Sequence, residues 1–239
     1  MINLDLIFPT PIWWIDLSID VREMQRVCYE IASTTAGRSK TNRGGINYQS
    51  SDFHAEKIIS DGNKADEFSN VLRHIKKLAN EAFDSYKSFA TDLTFANAWV
   101  NINNHGGYNE VHTHPGAIIS GVLYIKIPTT GDPGNICFHR NAMEAYTIHS
   151  LGVAEDISTA DVAHTRAKVT YEPTEGRLIL FPAWIPHGVR ENNTNEDRIS
   201  VSFNFIPNRG KRDMRAIIMA HGEAHGQSDP PLPAKPESQ

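Results

Sequence analysis

The chain has 239 residues, of which 40% are hydrophobic and 21% charged, with 28 acidic against 23 basic side chains. This apolar content can fill a sizeable core, and the lack of repeats or low-complexity tracts argues against a solenoid or a disordered protein. A net charge of -5 without a basic stripe argues against a nucleic-acid partner. We expect one folded domain over residues 1–225 and a disordered tail over 226–239.

The cysteines and the N-terminal run bear on the compartment. Cys28 and Cys137 lack C-x-x-C spacing and are too few for a disulfide framework, so we interpret them as free thiols in a reducing compartment. The run MINLDLIFPTPIWWIDLSID contains Asp5 and two prolines, which fits neither a signal peptide nor a membrane-spanning helix. We therefore predict a cytoplasmic protein with no membrane partner.

The first 90 residues predict an edge strand or an extended arm, followed by two helices. LIFPTPIWWIDL is rich in β-formers around prolines, which are tolerated on an edge but not in a central strand. Helices are predicted over about 19–34 and 63–88, with the polar loop AGRSKTNRGGINYQSS between them. The second helix carries an apolar stripe at three- and four-residue spacings: Phe68, Val71, Leu72, Ile75, Leu78, Ala82, Phe83 and Tyr86.

From residue 93 onward, short β-type runs alternate with turn residues. The predicted strands are TFANAWVNIN, GAIISGVLYIKI, GNICFH, AKVTYE, GRLILF, PHGVRE and RISVSFNFI. Seven or eight such strands imply a sandwich or a jelly roll. The long polar insertion over 141–167 is our candidate for substrate choice, and a basic helical segment, GKRDMRAIIMAH, ends the folded part.

The stretch EVHTHPG raises the question of a metal site. Because residues two apart on a strand point to the same side, His112 and His114 could share the mouth of a barrel with Glu110. A third histidine, His187, follows a hydrophobic run and a proline turn in EGRLILFPAWIPHGV. Three such ligands suit an octahedral iron with one open face, whereas zinc prefers closed tetrahedral sites. The alternative for His114 is a polar residue that only hydrogen-bonds nearby.

The last predicted strand adds a candidate anion site. Arg198 and Ser200 lie on one face of RISVSFNFI. A permanently charged guanidinium beside a hydroxyl would clamp a carboxylate inside a barrel. A surface arginine on an edge strand is the alternative, since arginine is mostly exposed.

The order of these motifs resembles a known enzyme superfamily. H-x-H, then G-x-L-I-L-F-P-x-W-x-x-H, then R-x-S is similar to the Fe(II)- and 2-oxoglutarate-dependent oxygenases, over roughly residues 95–207. Within this superfamily, the chain more closely resembles a group of bacterial and phage proteins that are classed as 2-oxoglutarate oxygenases. It implies a mainly β fold: a double-stranded β-helix, or jelly roll, with N-terminal α-helices packed against it. The helical part would cover about 18–90 and the β core about 93–207.

By this resemblance, His112 and His187 are ligands of Fe(II), while Arg198 with Ser200 grips the far carboxylate of 2-oxoglutarate. The sequence departs from the superfamily at His114, which occupies the place of an acidic ligand. Three readings follow: a three-histidine iron site, a carboxylate supplied instead by Glu110, or a degenerate site that binds metal poorly. We favour three histidines.

A weaker likeness concerns the cosubstrate. Asn101, Asn103 and Gly106 stand where AlkB-type members of the superfamily carry N-x-Y-x-x-G, so Asn101 and, less directly, Asn103 are expected to bind 2-oxoglutarate. Pairing of both asparagines within turns is the alternative. Tyr108 and Tyr124 could also reach the cosubstrate, although strand tyrosines more often belong to a core.

These observations predict a dioxygenase that uses Fe(II), 2-oxoglutarate and O2 to hydroxylate a substrate that the sequence does not identify. One rival is a cupin-type enzyme with the same three histidines and no 2-oxoglutarate, because Gly176, Pro182, His187 and Asn192 resemble a cupin motif. The other is a non-catalytic β-sandwich binding module. An inward-facing arginine at position 198 would separate the oxygenase from the cupin. Exposed edge strands would allow a homodimer.

Overall fold

The computed structural model describes residues 9–35, 37, 41–45, 47–62, 66–86, 92–141 and 166–208. The predicted C-terminal helix, the tail over 226–239 and most of the insertion over 141–167 lie outside them. The helices are α1 (Val21–Thr34), α2 (Ala55–Asp61) and α3 (Glu67–Asp84). Within the described part of the chain, no helix combines the length and apolarity needed to cross a membrane.

Two antiparallel sheets contain the strands that the structure describes. In chain order these are β1 (Trp13–Asp16), β2 (Asn42–Arg43), β3 (Asn47–Gln49), β4 (Leu93–Asn103), β5 (Tyr108–His112), β6 (Ile119–Lys126), β7 (Ile136–His139), β8 (Lys168–Tyr171), β9 (Arg177–Pro182), β10 (His187–Val189) and β11 (Arg198–Pro207). One sheet has the order β1-β9-β6-β11-β4-β3 and the other β2-β5-β10-β7-β8. The chain from β4 to β11 passes repeatedly between the sheets, and the predicted double-stranded β-helix is confirmed.

The six-stranded sheet has two chemically different faces. Its outer face packs on the helices, and its inner face looks toward the second sheet. Because side chains alternate along a strand, β11 contributes to both faces. It sends Ile199, Val201, Phe203 and Phe205 outward, and Arg198, Ser200, Ser202 and Asn204 inward.

The helices cover the outer face with amphipathic stripes. The α3 stripe is buried largely as predicted, and Ala79 joins it. Tyr86 is an exception, because it lies beyond the end of the helix and is 41% exposed. Both long helices begin at a capping aspartate: Asp20 accepts from the backbone N–H of Arg22 and Glu23, and Asp66 from that of Ser69.

Two features of the N-terminal half differ from the sequence prediction. The helix α2 was not predicted, and the region taken as a polar loop contains β2 and β3. Both strands pair with distant ones, β2 with β5 and β3 with β4. Such pairing depends on the assembled sheet rather than on local pattern. The predicted N-terminal edge strand is confirmed, since β1 ends the six-stranded sheet.

Candidate metal centre and polar cavity

Three histidines from separate parts of the chain converge at the mouth of the barrel. His112 ends β5 and stands opposite His187 of β10 in the sheet register. His114 lies just past the end of β5, where its backbone N–H donates to the carbonyl of Ala183 at 3.0 Å. Each imidazole offers one nitrogen, and these nitrogens lie within 4.8 Å of one another. The expectation that both residues of H-x-H lie on one strand is wrong, but their side chains still meet.

Backbone carbonyls orient two of the three imidazoles. Nδ1 of His112 lies 2.7 Å from the carbonyl oxygen of Glu110, and Nδ1 of His187 lies 3.0 Å from that of Ile185. A carbonyl oxygen can only accept, so each Nδ1 carries the proton. Each Nε2 therefore keeps a lone pair, which is the arrangement that a metal ligand needs.

Burial also favours the neutral form of the imidazoles. Desolvation lowers the pKa of His187 to about 3 and that of His114 to about 4, and the neighbouring imidazoles act in the same direction. Both side chains are therefore neutral at pH 7. Neutral imidazole is the form that binds metals, so His187 and His114 can accept a cation without first losing a proton.

Glu110 was the alternative source of a carboxylate ligand. Its carboxylate lies 3.0 Å from Nη2 of Arg43, and about half of each side chain is exposed. The metal-ligating group formed by the described residues consists of the three histidines without Glu110. Glu110 was considered only because residues two apart on a strand point to the same side. In the structure, the ion pair with Arg43 directs its carboxylate to the surface.

Arg198 lies inside the barrel and is only 2% exposed. Its Nη1 donates to the backbone carbonyls of Pro133, Gly134 and Arg190, but its Nη2 is buried without a hydrogen-bond partner. Burial lowers its pKa to about 10, so the guanidinium remains charged at pH 7. The alternative of a surface arginine on an edge strand is wrong.

Two further polar side chains near Arg198 also have buried atoms without partners. Asn101, Ser200 and Tyr124 lie side by side across β4, β11 and β6. The hydroxyl of Tyr124 and Oδ1 of Asn101 make no hydrogen bond, and burial raises the pKa of Tyr124 to about 12. From the sequence, Tyr124 could reach the cosubstrate, but a place in the core was favoured. Its place two residues after Val122 on an inward-facing track was the signal that could have identified it.

One polar cavity joins the histidines to these groups. Its lining includes the three histidines, Arg198, Ser200, Tyr124, Asn101 and Asn103. Asn103 is engaged elsewhere, since its Nδ2 donates to Oδ1 of Asn47 at 3.2 Å. The cavity thus has a cluster of metal-binding nitrogens and, deeper on β11, a buried cation with a free donor.

Two aromatic residues singled out in the sequence lie elsewhere. Tyr108 is 37% exposed and is not part of the lining of the polar cavity. Trp184, the tryptophan of the motif G-x-L-I-L-F-P-x-W-x-x-H, is 62% exposed. The turn between β9 and β10 directs this ring to solvent at a position three residues before His187.

Part of the chain is similar to a known protein family. Residues 97–204 match the family model described as "Putative 2OG-Fe(II) oxygenase". This match covers the six strands β5 to β10 completely and most of β4 and β11. No curated protein matches the chain.

Solved structures share the fold at low sequence identity. A prolyl-4-hydroxylase from Pseudomonas putida has a TM-score of 0.56 at 14% identity, covering 84% of this chain and 94% of its own. A prolyl hydroxylase from Trichoplax adhaerens, in complex with a hypoxia inducible factor peptide fragment, has a TM-score of 0.51 at 14% identity, covering 86% of each chain. HygX from Streptomyces hygroscopicus, with nickel and 2-oxoglutarate bound, has a TM-score of 0.51 at 10% identity, covering 83% of this chain and 84% of its own.

Proposed function

We propose that this chain is a dioxygenase that hydroxylates a C–H bond of an organic substrate, because its residues 97–204 match the 2OG-Fe(II) oxygenase family model. The family supplies the class of enzyme, the iron and the cosubstrates 2-oxoglutarate and O2. When bound, the ferrous ion couples oxidative decarboxylation of 2-oxoglutarate to oxidation of the substrate. The roles of individual residues are proposed from the geometry.

We propose that His112, His114 and His187 hold the iron. Their nitrogens lie close enough to share one cation, and the orientation of two of the rings leaves Nε2 available. Three neutral imidazoles leave the full charge of the ferrous ion uncompensated, whereas a carboxylate ligand would reduce it. A site of this kind favours an anionic cosubstrate such as 2-oxoglutarate.

The main support for 2-oxoglutarate as the cosubstrate is the buried guanidinium of Arg198. A buried guanidinium with an unpaired Nη2 is costly unless an acceptor completes it, and the far carboxylate of 2-oxoglutarate supplies that acceptor. The unpartnered hydroxyl of Tyr124 is a second donor that the same carboxylate can use. Ser200 and Asn101, in the adjoining cross-strand row, are proposed to contact the cosubstrate as well. Asn103 donates to Asn47 and is proposed to support the wall.

The same observation weighs against the two rivals. A cupin-type reaction at three histidines has no general need for a buried arginine that lines the cavity. A binding module with incidental histidines gives no reason for three imidazoles to meet beside an unpaired cation. The oxygenase reading uses both features at once.

Anaerobic titration tests the proposal directly. Fe(II) followed by 2-oxoglutarate is expected to produce the visible metal-to-ligand charge-transfer band of the chelate. Arg198→Ala should raise the Kd for 2-oxoglutarate by about 30-fold or more, since truncating one partner of a buried charge pair costs about 2–5 kcal/mol. Arg177→Ala is the matched control, because Arg177 pairs with Asp16 at the protein surface.

Two results would reject the proposal. Bound iron without a band on addition of 2-oxoglutarate favours the cupin, and a failure to bind iron favours the binding module. An unchanged Kd for 2-oxoglutarate in Arg198→Ala would contradict the proposed contact between Arg198 and the far carboxylate.

Location and assembly remain proposals of a different kind. A cytoplasmic location rests on the two cysteines, which are buried and free. A homodimer rests on the edge strands, of which β1 and β3 end the six-stranded sheet. Fractionation and light scattering, respectively, measure them.

A further inference from the structure

The third imidazole is held differently from the other two. Nδ1 of His112 and Nδ1 of His187 each face a backbone carbonyl. Nδ1 of His114 instead lies 3.5 Å from Nδ2 of the Asn204 side chain. His114 occupies the position where the resemblance implies an acidic ligand. Its contact with Asn204 is therefore a feature of this chain's own sequence.

Asn204 belongs to a row of three polar side chains across β4, β11 and β6, of which Asn204 and Ser120 are buried and Asn97 is partly exposed. In the sheet register Asn204 stands opposite both Asn97 and Ser120. Its Oδ1 accepts from the hydroxyl of Ser120 at 2.6 Å, and its Nδ2 donates to Oδ1 of Asn97 at 2.8 Å. Asn204 is 6% exposed and Ser120 is 1% exposed, so both are held within the sheet.

Metal binding changes what His114 needs from this row. If Nε2 binds a cation, Nδ1 must carry the proton and requires an acceptor. In the structure Asn204 presents its NH2 group, which suits the opposite tautomer, with the lone pair on Nδ1. A half-turn of the amide exchanges its oxygen and its NH2 group. The hydroxyl of Ser120 can accept instead of donating, and the amide of Asn97 can turn in the same way, so each link can reverse and still be made.

We propose that Asn204 is a positioning residue for the iron site, and that its amide sets the tautomer and orientation of His114. Without metal, its NH2 group donates to Nδ1. With metal bound, its oxygen accepts from Nδ1–H and makes the imidazole a better ligand, as outer-sphere acceptors do for metal-binding histidines. Ser120 and Asn97 hold the amide in either sense. The inference rests on the proposed function only in taking His114 as a metal ligand.

The first test measures affinity for Co(II) alone, added to the full-length protein without 2-oxoglutarate and followed by calorimetry. Asn204→Ala should weaken binding by about 10- to 100-fold, the usual effect of losing an outer-sphere partner. Asn204→Asp should retain affinity, because a carboxylate accepts from His114, Ser120 and Asn97 together. Asn80→Ala is the control, since the side chain of Asn80 accepts a hydrogen bond from the backbone N–H of Leu93 on the helical side of the molecule.

A second readout separates positioning from general packing. In the Zn(II)-loaded protein, the 15N spectrum of His114 should show a protonated Nδ1, and Asn204→Ala should mix the tautomers or broaden that signal. If Asn204→Ala does not fold, the Asn204→Asp affinity and the wild-type spectrum still decide the question.

The outcomes distinguish this inference from the proposed function. Wild-type protein that binds no Co(II) contradicts the proposed function itself. Normal binding by both wild type and Asn204→Ala contradicts only the inference. An Asn204→Asp variant that binds as poorly as Asn204→Ala, or an unprotonated His114 Nδ1 in the Zn(II)-loaded wild type, also overturns it.

Discussion

The ten residues of β11 alternate between an outer and an inner face, and the two faces serve opposite purposes. On the outer face, Ile199, Val201, Phe203 and Phe205 are buried against apolar neighbours from the helices and adjacent strands. On the inner face, the guanidinium of Arg198 is equally buried but leaves Nη2 without a partner. The outer face is complete as folded, whereas the inner face has unpaired groups that a ligand can satisfy.

This difference separates what stabilises the molecule from what acts in it. Burial of apolar side chains contributes about 1.5–3 kcal/mol each, so the outer face accounts for much of the fold's stability. Unpaired polar groups such as the Tyr124 hydroxyl oppose folding, by about 1–3 kcal/mol each, until a ligand arrives. Variants on the two faces should therefore change different measurements.

The largest expected effect is on the outer face. Phe203 is fully buried beside Phe95 and Phe205, so Phe203→Ala should lower the free energy of unfolding by about 3–5 kcal/mol. Chemical denaturation measures it. Metal affinity of the folded fraction should not change. Val111→Ala, at a side chain that is 56% exposed, should stay within about 0.5 kcal/mol of wild type. A Phe203→Ala protein of normal stability would contradict the division of roles.

At the metal centre the expected change is in binding. His187→Ala should weaken Co(II) binding by about 100-fold or more, or about 2.7 kcal/mol, because it removes a proposed ligand rather than an outer-sphere partner. Equilibrium titration measures it. His74→Ala, at an exposed position on α3, should bind as wild type does. Equal loss of affinity in both variants would mean that Co(II) binds elsewhere.

A moderate effect on stability is expected at Gly121, a position on β6 that has no side chain. Gly121 stands opposite Phe203 in the register, and a Cβ built at Gly121 would lie 2.7 Å from Cδ2 of Leu180. Gly121→Ala should therefore cost about 1–3 kcal/mol of unfolding free energy through overpacking. Adding Phe203→Leu to that variant should recover part of the loss. A double variant whose losses simply add would show that the two positions do not compete for space.

The smallest expected effect concerns the unpaired hydroxyl of Tyr124 in the polar cavity. Tyr124→Phe should raise the Kd for 2-oxoglutarate by about 3- to 10-fold, the loss of one hydrogen bond, with no loss of unfolding free energy in the absence of ligand. The matched control is Tyr48→Phe, because the hydroxyl of Tyr48 already bonds Thr35. That control should lose about 1 kcal/mol of stability and bind 2-oxoglutarate normally. Destabilisation by Tyr124→Phe without ligand would contradict the assignment of an unpaired hydroxyl.

The local sequence pattern was sufficient to predict helices and strands that bury one apolar face. The α3 stripe and the two-residue alternation in RISVSFNFI are visible in the sequence, because a helix or strand with one apolar face repeats with its own period. The short strands β2 and β3 were missed because their residues become strands only by pairing with β5 and β4. The helix α2 has too few residues for a clear period.

For the candidate site, the sequence identified which residues to consider but not how they are joined. His112, His114, His187 and Arg198 were named from spacing and resemblance, and they line one cavity. The free Nη2 and the contact between Asn204 and His114 depend on side-chain orientation and on the register of three strands. No spacing along the chain encodes those distances.

The alternation along β11 also acts as a check on assembly. A slip of one residue against β4 and β6 would turn Arg198 toward the helices and aim Phe203 at the histidines. Such a molecule would lose its apolar packing and its chemistry in the same step. Misaligned chains would therefore be removed as unstable, and those that survive would already have their catalytic parts in line.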